Sequence, residues 1–88
     1  MTTIAQILEQ RKSQHGDLLT QSTVSQGLKD AMRNNPKWIE LKPDQKESLE
    51  MIVHKIARIL AGDPNFVDHW DDISGYSILV ANRLKELK

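Results

Sequence analysis

With 88 residues, 39% of them apolar and only 5% aromatic, the chain has room for one small domain with a modest core, and a domain of this size often recovers stability by oligomerising. It has no cysteine, which excludes disulfides, thiolate zinc sites and cysteine nucleophiles. Its 12 basic residues balance 12 acidic ones, and this neutrality argues against general nucleic-acid binding, which needs a basic excess or stripe.

The chain opens on Met1-Thr-Thr-Ile-Ala-Gln, without the basic region and apolar run of a signal peptide. No apolar run approaches the roughly 20 residues of a membrane span. A cytoplasmic protein is therefore expected.

Thr3 with Gln6 three residues later fits a capping box, which starts a first helix running to about His15. Ile4, Ile7 and Leu8 give it a narrow apolar face, and Gly16 is its stop. Asp17 to Ser22 reads as a connection. A second helix is expected from Ser22 or Thr23 to about Arg33, with Val24, Leu28, Ala31 and Met32 as its stripe. Asn34-Asn35-Pro36 ends it. Trp38, Ile39 and Leu41 follow at strand-like spacing and read as a buried connector.

Pro43 suits a first helical position, and a third helix should reach Ala61, with Gly62 as a left-handed cap. Leu49, Ile52, Val53, Ile56, Ile59 and Leu60 fall on one broad face, with Glu47, Glu50, His54 and Arg58 opposite. Asp63-Pro64-Asn65 is turn chemistry. The fourth helix should run from near Phe66 to about Glu86, with Trp70, Ile73, Ser77, Val80, Ala81, Leu84 and Leu87 on its apolar face. Gly75 beside Leu79 leaves a gap that suggests close helix contact between subunits.

The short turn makes the last two helices an antiparallel hairpin. Its register sets Lys55 level with Asp72, and Arg58 level with His69, one turn from Asp68 and Asp72. Such a group can serve as interhelical ion pairs on a solvated rim, contributing roughly 0–1 kcal/mol each. It can also serve as a phosphate and metal site, with carboxylates sharing magnesium and Lys55 and Arg58 meeting phosphate oxygens. His54 near Glu50 could form an acid–base couple, although a histidine satisfied by a helical neighbour is the commoner case. His15 sits where it would complement a helix dipole. Trp70 is expected in the core, and Tyr76 at its edge with the hydroxyl outward. Ser74 and Ser77 have no neighbouring base, so serine catalysis is not indicated.

Leu49-Glu-Met-Ile-Val-His-Lys-Ile-Ala-Arg-Ile-Leu-Ala-Gly62 followed by Asp68-His-Trp-Asp-Asp-Ile-Ser-Gly-Tyr76 resembles a family of short uncharacterised proteins encoded by phages and prophages. Arg11 to Gly16 also looks like that family's start. The resemblance implies a phage or prophage origin and a bacterial host cytoplasm. A further similarity is to the MazG-like all-alpha nucleoside triphosphate pyrophosphohydrolases, which hold magnesium between Glu-x-x-Glu and Glu-x-x-Asp helices. Carried over, Glu47, Glu50, Asp68 and Asp71 or Asp72 would bind magnesium, and Lys55 or Arg58 would contact phosphates. The hairpin register nevertheless sets Glu47 level with Val80, roughly 13 Å along the axis from Asp71.

The expectation is an all-α domain over residues 1–88, of four helices, the last two an antiparallel hairpin and the first two packed across its apolar face, in an oligomer most simply dimeric. The expected function is a phage-type accessory protein binding nucleotides with magnesium, with weak or no hydrolysis. The rival is a non-enzymatic module that binds a host or phage protein through the Gly75–Leu79 surface.

Overall fold

The computed structural model describes residues 2–87, which are helical with no strand. Four α-helices follow in order, α1 (Ile4–His15), α2 (Leu18–Arg33), α3 (Pro43–Ala61) and α4 (Val67–Glu86), with a 3-10 helix over Pro36–Glu40. No helix of the described residues is long and apolar enough to cross a membrane.

Local chemistry sets each boundary. The Thr3 hydroxyl accepts from the Gln6 N–H at 3.1 Å, and the Gln6 carboxamide oxygen accepts from the Thr3 N–H at 2.8 Å, which closes the expected capping box of α1. Gly16 ends α1 at φ 83°, in the left-handed region. The second helix starts earlier than its sequence suggests. Asp17 caps it, accepting the Thr20 N–H at 3.0 Å and the Thr20 hydroxyl at 2.8 Å. These two bonds hold the Asp17 carboxyl below its usual pKa. Ser22 and Thr23, expected as caps, lie inside α2 and donate back to the Leu18 and Leu19 carbonyls at 2.5 and 2.7 Å.

The connector after α2 is a 3-10 helix rather than extended chain. Asn35 accepts from the Lys37 N–H at 3.0 Å and Pro36 opens the turn. Trp38 is half-buried, while Ile39 points outward at 81% exposure. Gly62 closes α3 at φ −119°, so it is not the left-handed cap expected of it. Its lack of a side chain serves a close approach instead: a Cβ there would lie 2.6 Å from the Gly16 nitrogen and from the His15 carbonyl carbon.

The helices form an open layer with α3 in the middle. Arg33 of α2 bonds Glu50 of α3 at 2.8 Å. On the other side Lys55 pairs with Asp72 at 2.9 Å, and Asp44 pairs with Arg83. The last two pairs keep one antiparallel register along α3 and α4. Helix α1 reaches the rest of the molecule through its own carboxyl end, where Gln14 and His15 meet Gly62 after α3 and His69 of α4. The first two helices therefore do not cross the hairpin's apolar face as expected. Of the two, α2 alone runs along α3, and Val53 and Ala57 are the buried apolar residues of the described chain. Trp70, expected in the core, is 53% exposed, with its indole N–H donating to the Pro64 carbonyl at 2.9 Å. The consequence is an extended molecule. Its radius of gyration is 15.3 Å, against about 12 Å for a compact domain of this length.

Candidate functional site

Three chain segments meet where α1 ends, α3 ends and α4 begins. The Gln14 carbonyl accepts the Asp63 N–H at 3.0 Å and the His69 Nε2–H at 3.0 Å. A carbonyl can only accept, so His69 carries its proton on Nε2. His15 Nδ1 lies 3.3 Å from that same nitrogen and therefore accepts. The two imidazoles sit 5.0 Å apart, with Phe66 edge-on to His69 at 4.9 Å. His69 is 1% exposed, the most deeply buried large side chain. The sequence, with Asp68, Asp71 and Asp72 around it, reads as a surface there.

His15 is more than a complement to the helix dipole. Burial, then the charges of Arg58, His69, Arg11 and Lys55, push its pKa down to about 4. Burial also lowers His54, helped by Arg58, Lys29 and Lys55. His54 Nε2 faces the Gln21 amide nitrogen at 3.5 Å, the outer limit of a hydrogen bond. Its expected partner, Glu50, is bonded to Arg33, so the His–Glu couple does not form.

Folding lowers the pKa of both rings, whereas an unfolded histidine takes up a proton near pH 6.5. The unfolded chain thus binds more protons below that pH. Their contribution to stability is complete above about pH 6.5 and is lost as pH falls below it, for His15 down to its folded value of about 4. Thermal melts across this window should show Tm falling with acidification, less steeply in His15→Gln. A flat profile would contradict the burial of these rings.

Beside His15 opens a cleft of about 470 Å³, lined by Arg11, Lys12, Gln21 and Arg58, with Leu8 and Leu18 on its apolar walls. Arg58 reaches it from α3, and Arg11 and Lys12 from α1. Among the described residues Arg58 has no ion-pair partner. Its Nε is buried and unpartnered. Burial, then the charge of Arg11, lower its pKa, with Asp72 acting against them. Asp17, the cleft's carboxylate, is already engaged as the cap of α2. The net field in the cleft is positive, and an anion is what it would accept.

The other expected site residues scatter. Lys55 is bonded to Asp72, as the register implied. Arg58 faces the cleft rather than joining Asp68 and Asp72 in an ion-pair group. Glu50 is held by Arg33, and Glu47 and Asp68 are exposed. Asp71 and Asp72 line a separate surface cleft of about 490 Å³ with Gly75, Tyr76, Ile78 and Leu79. Among the described residues no three His, Asp or Glu side chains come together as a metal-ligand group. Glu47, Glu50, Asp68, Asp71 and Asp72 of a single chain thus do not fit a magnesium cage. The sequence points to Arg58 but not to Arg11, Lys12 and Gln21. These three come from the first two helices, and a reading centred on the hairpin passes over them. No protein-family model, curated protein or solved structure matches the chain.

Proposed function

We propose that the cleft between α1, α2 and α3 binds the phosphates of a nucleotide, in a small phage- or prophage-type accessory protein of MazG-like character with weak or no hydrolysis. One observation carries the reading. Arg58 is held in the cleft wall with a buried Nε–H and no carboxylate partner. A buried donor without a partner costs about 1–3 kcal/mol, more when charged, and a phosphate oxygen would recover that cost. Arg11 and Lys12 add charge at the mouth, and Gln21 adds an amide on the inner wall. Lys55 stands next along α3, balanced by Asp72.

Magnesium has no cage within one chain, so no hydrolytic step follows from these carboxylates. Any dependence on the metal is a matter for the titration, run with and without it. We also place the chain in a homo-oligomer, most simply a dimer.

Calorimetric titration with a set of nucleoside triphosphates should give saturable binding that weakens with salt. Arg58→Gln keeps much of the side-chain volume but removes the charge, and affinity should fall about 10-fold or more. Absence of heat, together with absence of pyrophosphate release, would reject the reading. It would favour the protein-binding alternative, whose Gly75–Leu79 surface is exposed.

A further inference from the structure

Two helices flank α3 along its length and leave one edge of large apolar residues open. Helix α2 covers the Val53 and Ala57 side, α4 covers the side of Lys55 and Asp44, and α1 lies by Arg58 at one end. Leu49, Ile56 and Leu60 fall within a narrow arc on the remaining edge. Leu49 is 38% exposed and Leu60 67%. The two ends of this edge differ in shape. Near its start is an apolar groove of about 280 Å³, lined by Leu41, Leu49, Ile52, Ser77 and Val80. Near its finish Leu60 protrudes.

The surface that the chain exposes in excess of a compact monomer is on the scale of a subunit interface. A compact monomer of 10.1 kDa exposes about 5,300 Å². This chain exposes 6454 Å². The excess is about 1,200 Å² per chain, and doubled it falls in the obligate homodimer range of roughly 2,000–5,000 Å².

We infer that a second copy of the chain packs on this edge about a two-fold axis, the Leu60 of each copy entering the other's groove at Leu49, Ile52, Ser77 and Val80. The inference rests on the oligomeric reading above and adds the surface. Three observations favour a second copy as occupant. A knob at one end of the edge and a hole at the other are brought together by an antiparallel two-fold crossing of α3 on α3, which is the self-complementarity an isologous contact needs. A core reduced to Val53 and Ala57 has to be completed as the chain folds, and another copy is the partner present whenever the chain is. The formal net charge is zero, so copies approach without net repulsion.

Sedimentation and light scattering test it. Wild-type protein should show twice the chain mass, with a Tm that rises with concentration. Ser77→Arg and Leu60→Asp alter residues exposed in a single chain, so neither removes a core side chain. Each should weaken the dimer about 100-fold or more, because every contact is lost twice. Leu79→Asp, on the other cleft, should leave it intact. A wild-type protein of single-chain mass with a concentration-independent Tm would overturn the oligomer and this surface together. A dimer that survives Ser77→Arg and Leu60→Asp, or one lost only in Leu79→Asp, would overturn this surface alone.

Discussion

Gly16→Ala is expected to lower the stability of the chain by about 2–5 kcal/mol, an outsized effect for a single methyl group. Two causes add. Gly16 sits at φ 83°, where an L side chain meets its own backbone. A Cβ built there lies 2.5 Å from the Ala61 carbonyl oxygen and 2.6 Å from its carbon. Those atoms are the last turn of α3 and cannot swing aside as a side chain can. Gly62 approaches Gly16 and His15 from the other side, so the two glycines form one contact between backbones. Through it α1 is held to the rest of the molecule and Arg11 is carried to Arg58. A fall in Tm of at least about 10 °C is the expected readout for a domain of this size. Gly27→Ala is the control: a Cβ there meets nothing within 4 Å, so the change should stabilise α2 by up to about 1 kcal/mol. A Gly16→Ala protein that melts with the wild type would mean that α1 is not docked in this way.

His69→Ala should cost about 2–4 kcal/mol, from the cavity left by a 1% exposed ring and the loss of its hydrogen bond. His69→Leu separates the two parts. It refills most of the space and removes only the Nε2–H donor. The Gln14 carbonyl keeps the Asp63 N–H, and His15 Nδ1 is the one acceptor that loses this donor. The leucine variant should therefore recover more than half of the loss in denaturant unfolding. Equal losses for alanine and leucine would place the stabilisation in the hydrogen bond rather than in packing.

Much of the scaffold was legible because its determinants are local. The Thr3–Gln6 box, Pro43 at the head of α3 and the Asp63-Pro64-Asn65 turn act over three or four residues. The short turn also fixed the register that brings Lys55 to Asp72. The start of α2 was misplaced because Ser22 and Thr23 are good caps in isolation, and only the tertiary fold shows Asp17 taking that place. The burial of His69 could not be read from neighbours that are mostly acidic. It depends on the Gln14 carbonyl, 55 positions away, arriving beside it. Trp70 misled for the opposite reason: it lies on the periodic apolar face, but no helix of the same chain covers it. Of the candidate site, Arg58 was visible in the sequence. That it lacks a carboxylate and shares its cleft with Arg11 and Gln21 depends on how α1 and α2 pack.

The most direct test of phosphate binding watches Arg58 itself. Its Nε–H can be followed by nitrogen–proton NMR while a nucleoside triphosphate is added. The expected result is a saturable shift of the Arg58 Nε–H resonance, with accompanying shifts at Arg11, His15 and Gln21, and none of comparable size in Arg58→Gln. An unmoved Arg58 signal, or shifts confined to Gly75 and Leu79, would contradict the cleft as the binding site.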